Sequence, residues 1–465
     1  MKWRRRHWGT LALGAVVVAG GALWMWLRPA PADTRFTGAY RLADGRLVLV
    51  SPREGSVLRY RMMSGESRAL WPRGGDRYEA GPGWAEQAPV QLTVAFTKGS
   101  DRAPTRVSWT ETGGATQQGE RLDLSEQVEI IDGDGLKLRA KLVAPPGPGP
   151  FPVVVFVHGS DEDSAVDGYY EPYLFAANGV AGLVFDKRGT GKSEGRYTQN
   201  FHILARDVAA VVRWARGRKE VDPQRVHLAG YSQGGWIAPL AASKVGGIKS
   251  ILVGYGPMVP VVDEDRWSYV HDLRKNGFGD AEIARVDQVN AILGAIVDRG
   301  EDRWAELASQ LDAVRGERWF PAAAQSESMF GFVASSKLPL WVMRLHAWWA
   351  LRPTNGEAFI DRHYDPVPTL AGLGVPSLWI LGGEDSSMPT QWTIDELDSL
   401  RQAGRPIEIK VFPEADHGIM RMEDDGKGRR RRAGIEPGYL PLEVEWVRRQ
   451  SGLPTEAEVA RQPPW

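Results

Sequence analysis

The sequence predicts an α/β protein: a mostly parallel sheet with helices on both faces, carrying a helical insertion and preceded by a small antiparallel β module. Three observations lead there. Short apolar runs recur at residues 151–157, 180–185, 250–254 and 376–381, as expected of strands covered on both faces. A further run, Val226-His227-Leu228-Ala229, passes through Gly230-Tyr231-Ser232-Gln233-Gly234 into the helix-compatible stretch 236–242. More than a hundred residues of helical pattern then separate the run at 250–254 from the one at 376.

In chain order, Lys2, Arg4, Arg5 and Arg6 precede an uncharged stretch from Trp8 to Leu27. As a helix those residues would span about 30 Å, the thickness of a bilayer core, and Trp8, Trp24 and Trp26 suit its two interfaces. Residues 1–32 are therefore read as a membrane anchor or signal peptide, with the cationic end in the cytosol and the rest of the chain outside. The protein would be held at the inner membrane, or be periplasmic if cut at Ala30-Pro31-Ala32.

Residues 33–125 show short alternating runs such as 46–50 and 57–60, separated by the turn signals Asp44-Gly45 and Glu54-Gly55. They form the expected β module. Residues 126–256 are the first part of the α/β core, opening on a hairpin whose turn is Asp132-Gly133-Asp134-Gly135. Residues 257–365 are the helical cap, and residues 366–465 the second part of the core. Within the cap Trp341, Leu345, Trp348 and Trp349 share one helical face, read as packing inside the cap, with an acyl or aromatic pocket or a membrane-facing lip as the alternative. Lys337, Arg344 and His346 argue against a second membrane span.

Composition narrows the function classes. At 465 residues the chain can hold several domains, and a net charge of −1 gives no general attraction to nucleic acid. The absence of cysteine excludes disulfides, thiolate metal sites and a cysteine nucleophile. Asp361-Arg362-His363-Tyr364-Asp365 reads as a salt-bridged loop rather than a metal site, and Arg429 to Arg432 as a solvated loop. No cofactor and no metal are expected.

The pentapeptide around Ser232 carries the chemistry. A serine at a strained strand-to-helix turn pushes the residues two positions away against the turn, where a Cβ would clash, and Gly230 and Gly234 occupy those places. The Gln233 amide sits at a helix start, ready to stabilise an oxyanion. A serine needs a base, a group that orients the base and a second oxyanion donor. His417, in Asp416-His417-Gly418 after the run 407–412, is the base. Asp385, just past the run 376–381, is the acid, with Glu384 and Asp416 as rivals; adjacency to His417 keeps Asp416 from reaching that residue's own Nδ1. The loop His158-Gly159-Ser160 supplies the second donor through the Ser160 amide, with His158 bracing it. Gly189-Thr190-Gly191-Lys192-Ser193 ends like a phosphate-binding loop, but Asp186 stands where that motif demands glycine.

Together, His158-Gly159-Ser160, Asp186-Lys187-Arg188-Gly189-Thr190-Gly191-Lys192-Ser193, Gly230-Tyr231-Ser232-Gln233-Gly234, Gly383-Glu384-Asp385 and Asp416-His417-Gly418 resemble the α/β-hydrolase superfamily. Within it they are most similar to bacterial esterases and acyl hydrolases of the branch shared with cinnamoyl esterases and prolyl-oligopeptidase-like enzymes. The resemblance covers about residues 126–256 and 366–450. It implies the α/β-hydrolase fold, a triad of Ser232, Asp385 and His417, and an oxyanion hole from the Ser160 and Gln233 amides. The expected function is an exported serine hydrolase acting on a small-molecule carboxylic ester through an acyl-enzyme. A peptidase or amidase is the alternative, and a non-catalytic envelope-binding protein is opposed by the filled triad positions.

Overall fold

The computed structural model describes residues 32–454 apart from 54–56, 99–103, 355, 425 and 427–429. The cationic start and the uncharged stretch 8–27 lie outside the described residues. Among the described residues no helix is long and apolar enough to cross a membrane.

The β module is a closed barrel of eight antiparallel strands. They are β1 (Gly38–Leu42), β2 (Leu47–Arg53), β3 (Val57–Met62), β4 (Ser67–Pro72), β5 (Arg77–Ala80), β6 (Leu92–Lys98), β7 (Pro104–Glu111) and β8 (Gln117–Arg121). β8 pairs back onto β1, so no strand edge is left open. Alternation explains why β2 is apolar on both sides: Val48 and Val50 enter the barrel core with Tyr40, Tyr60 and Trp109. Leu47 and Leu49 point outward and pack with Tyr170 and Leu174 of the neighbouring layer.

The main sheet has eight strands, β9 (Ser125–Asp132), β10 (Lys137–Ala144), β11 (Phe151–Val157), β12 (Ala181–Phe185), β13 (Val221–Tyr231), β14 (Ser250–Gly254), β15 (Ser377–Gly382) and β16 (Ile407–Phe412). Their spatial order is β16-β15-β14-β13-β11-β12-β10-β9. β9 and β10 form the antiparallel hairpin at one side, and β11 to β16 run parallel. The helices Phe201–Arg216, Gly234–Val245 and Thr390–Gln402 bury Phe201, Ile237 and Leu397 on one face. The helices Glu171–Ala176 and Tyr439–Gln450 bury Leu174, Leu440 and Val444 on the other. The fold is the α/β-hydrolase fold. A small sheet of β17 (Ala415–Asp416), β18 (Met420–Asp424) and β19 (Arg430–Ile435) follows β16.

Between β14 and β15 lies a helical body with its own apolar core, including Val286, Leu293, Leu311 and Phe330. Its longer helices are Val261–Lys275, Asp280–Arg299 and Trp304–Val314. Arg362 in the returning segment is 4% exposed and ties it down, 3.1 Å from Asp298 and 3.6 Å from Asp265. The helix Leu340–Ala350 departs from expectation. It buries Met343, while Trp341, Leu345, Trp348 and Trp349 are 56–70% exposed. The 3.6-residue period identified the face correctly, but that face looks outward because the opposite side of the helix makes the packing contact.

Candidate active site

Every site group stands at the carboxyl end of a parallel strand, the edge at which open α/β sheets bind ligands. β13 ends at Tyr231, and Ser232 follows with a left-handed φ of 52°. A Cβ on Gly230 would collide with the Gly234 carbonyl, and one on Gly234 with the Val157 carbonyl. The two glycines are what allow the turn, and the turn is what lifts the hydroxyl off the sheet.

β15 delivers Asp385 and β16 delivers His417, which meet across 32 residues of chain. The His417 Nδ1 lies 2.9 Å from Asp385 Oδ2 and its Nε2 lies 3.1 Å from Ser232 Oγ. Asp385 is 3% exposed. Its Oδ1 accepts hydrogen bonds from the Ser387 and Met388 amides at 2.8 and 3.2 Å, so Oδ2 is left for the imidazole. Burial opposes a charge on His417, yet the Asp385 charge and hydrogen bond, with Glu327 and Glu264 beyond, hold the imidazole above its ordinary value. The rival carboxylates are engaged elsewhere. Glu384 is exposed and paired with Arg430, and Asp416 Oδ1 accepts from the Ser386 hydroxyl at 3.2 Å.

On the other side of Ser232 the loop after β11 closes in. A Cβ on Gly159 would sit 3.4 Å from the Ser232 Cβ. The Gln233 amide opens the helix Gly234–Val245, and neither it nor the Ser160 amide is taken by a backbone carbonyl among the described residues. His158 is fully buried and its Nε2 accepts from the Lys187 amide at 3.3 Å. Burial and the adjacent Lys187 hold it well below the usual histidine value, a neutral brace rather than a base.

Two groups escaped the motif reading. Lys187 is 1% exposed, and its Nζ donates to the Gly159 carbonyl at 2.5 Å and to Gln233 Oε1 at 2.8 Å. It ties the two candidate oxyanion loops together, and burial pushes its ammonium down to about 7. Tyr255 follows β14 with φ of 43°, its ring edge-on to His417 with centroids 4.9 Å apart. The signal was present: Tyr255 stands between Gly254 and Gly256, whose Cβ atoms would meet Tyr231 and Gly235.

The look-alike phosphate loop is turned inward. Asp186 accepts from the Ser164 hydroxyl at 2.8 Å, the Val166 amide at 3.0 Å and the Lys192 amide at 3.1 Å. A Cβ on Gly191 would run into that carboxylate. Beside it, Arg188 grips Asp207 through two 2.6 Å hydrogen bonds.

A cavity of about 1430 Å³ opens over Ser232. Pro52, Arg61 and Trp84 of the barrel line one side, and the cap lines another through Glu264, Phe332 and Trp349. Burial pushes the Glu264 carboxyl up to about 8 against the opposing pull of His417.

Fold and site together place the chain among the α/β-hydrolases, with a complete relay of serine, histidine and aspartate. The family model of the X-Pro dipeptidyl-peptidases (S15 family) matches residues 134–418. The chain belongs to that family. Thiohydrolase aneE of Aspergillus aculeatus is 33% identical over 129 residues, covering 27% of this chain and 40% of that protein. The quorum-quenching protein AidA of Acinetobacter baumannii is 34% identical over 107 residues, 23% of this chain and 35% of that protein. The chain thus spans about two fifths of the length of the curated relatives it matches. Among solved structures, a puromycin-hydrolyzing peptidase of Mycobacterium tuberculosis superposes with a TM-score of 0.42 at 16% identity, over 90% of this chain and 54% of that one. The Pyrococcus furiosus esterase Pf2001 gives 0.39 at 17% identity, over 63% and 85%.

Proposed function

We propose that the protein is an exported serine hydrolase that cleaves carboxylic esters through an acyl-enzyme. The observation that carries this reading is the continuous relay from Asp385 through His417 to a left-handed Ser232 at the cavity floor. His417 removes the hydroxyl proton as Ser232 Oγ attacks the ester carbonyl. Asp385 keeps Nδ1 protonated and balances the imidazolium. The Gln233 and Ser160 amides receive the oxyanion. His417 then passes its proton to the leaving alkoxide, and the same sequence with water releases the acid. Esters are favoured because an alkoxide is expelled more readily than an amine.

A fluorophosphonate should label Ser232, and Ser232→Ala should abolish labelling and lower turnover by a factor on the order of 10⁶. Undiminished labelling of that variant places the nucleophile elsewhere. Export rests on the cationic residues before the uncharged stretch 8–27; a reporter fused after Trp465 that is active in the cytosol would overturn it.

A peptidase or amidase is the second reading, favoured by Glu264. Its carboxyl lines the cavity within electrostatic reach of His417, and an arriving ammonium would draw it into its charged form. Turnover of aminoacyl amides above that of matched esters would select this reading.

A further inference from the structure

Ten large apolar side chains are exposed among the described residues, and six of them lie between Phe332 and Trp349. On the helix Leu340–Ala350, Trp341, Leu345 and Trp348 fall one turn apart along a single outward stripe, 70, 59 and 64% exposed. The opposite side of the same helix meets the protein: Met343, Ala347 and Ala350 line the cavity, with Trp349 at the boundary. One helix therefore forms both a wall of the active-site cavity and an apolar outer surface.

The segment that carries the stripe is itself cationic. From Ser328 to Gly356 the sequence holds Lys337, Arg344 and Arg352 and no aspartate or glutamate, in a chain whose net charge is −1. Arg352 lies over the Trp348 ring, 3.7 Å from its centre, and Arg344 is paired with the exposed Asp302 at 2.8 Å. Indole rings with an apolar body and a polar N–H settle at the headgroup boundary of a bilayer. Flanking cations add attraction to an anionic surface. A protein partner would be expected to answer such rings with pockets of its own, whereas a lipid surface needs only the stripe and the charge.

We propose that the outer face of the helix Leu340–Ala350 docks on an anionic lipid surface, inserting Trp341, Leu345 and Trp348 at the interface. The cavity that this helix walls would then lie against the bilayer, where an acyl ester dissolved in lipid arrives. The proposed anchor at 8–27 contributes proximity alone, because a tethered surface patch needs little affinity of its own to engage.

The cysteine-free chain makes a direct test possible. Leu345→Cys in the full-length protein, labelled with an environment-sensitive dye, is incorporated into vesicles of phosphatidylcholine with phosphatidylglycerol. Glu120→Cys, on a barrel side chain that is 78% exposed, serves as the comparison. The expected result is blue-shifted emission at residue 345, quenched by brominated acyl chains and shielded from iodide, with residue 120 remaining open to iodide. The shift should weaken in vesicles of phosphatidylcholine alone; equal response there overturns the anionic preference. Iodide access at both positions overturns the docking itself. Blue emission in detergent-free solution before lipid is added overturns it in favour of a cover supplied by the chain's own apolar segment. Emission that shifts with protein concentration instead identifies a second copy as the occupant. None of these readouts depends on hydrolysis, so they stand apart from the proposed ester chemistry.

Discussion

The carboxyl edge of the sheet and the cap above it are built on opposite terms. At the edge, Ser232, Asp385 and His417 are each held by several neighbours, and bulk is excluded by Gly230, Gly234 and Gly254. In the cap, a helix that walls the same cavity leaves four large side chains more than half exposed. The edge is specified by exclusion: one additional methyl group collides with backbone at Gly230 and Gly234 and with the Tyr231 ring at Gly254. The cap is specified by attraction between apolar surfaces, which tolerates many sequences and leaves a second face free for other use.

The sharpest way to break that contrast is to disturb the edge without changing its shape. Asp385→Asn retains volume, but its amide oxygen is held by the Ser387 and Met388 amides, so an uncharged NH2 donor faces His417 Nδ1 and imposes the wrong tautomer; kcat should fall by about 10⁴. Glu384→Gln and Asp416→Asn, whose carboxylates are committed to Arg430 and Ser386, should lose roughly tenfold or less in the same ester assay. A crippled Asp416→Asn beside a mild Asp385→Asn would reverse the assignment of the acid.

A smaller effect is expected from the support behind the oxyanion loops. Lys187→Met removes the link between the Gly159 carbonyl and Gln233 and should lower kcat about 10²-fold, the scale of a small misplacement. KM should change little, and the rate of fluorophosphonate labelling should fall in parallel. Unchanged labelling with reduced thermal stability would make Lys187 a packing residue alone.

The smallest effect concerns the cap's reach into the chemistry. His417 acts as a base only when neutral, and its pKa is raised in the folded protein. Activity should therefore be lost as pH falls through a value above the ordinary 6.5. Glu327→Gln removes one of the negative charges that hold it there, so the acid limb of kcat/KM should move to lower pH. A limb that stays in place separates Glu327 from the base.

The difference between the regions also explains what could be read from the sequence. The parallel strands were legible because burial on both faces writes an unbroken apolar run, as in Phe151–Val157. Glycines around Ser232 were legible because strain demands them. The barrel was legible as antiparallel strands but not as a closed one, since β1 and β8 meet across 77 to 81 residues by pairings such as Arg41 with Glu120 that no local pattern encodes. The direction of the tryptophan stripe was hidden for another reason. Periodicity gathers Trp341, Leu345 and Trp348 on one side of a helix, but an indole reads the same whether it meets leucine or water. Lys187 stands inside the run Asp186-Lys187-Arg188-Gly189, and its reach to Gln233 follows from the order of strands rather than from any spacing.

One consequence of the inward-turned loop after β12 concerns mimicry. The loop after β12 does on a small scale what a nucleotide-binding loop does, which is to aim backbone N–H at an anion: the Lys192 amide beside Gly191, joined by the Val166 amide from a neighbouring helix, forms a small nest for the chain's own Asp186 carboxylate. A tethered carboxylate is present at a local concentration no dissolved phosphate reaches, so the nest is permanently self-ligated. What such a loop offers the fold is a fixed point. Nucleotide binding and loop anchoring make the same demand on the backbone, and only the ownership of the anion tells them apart.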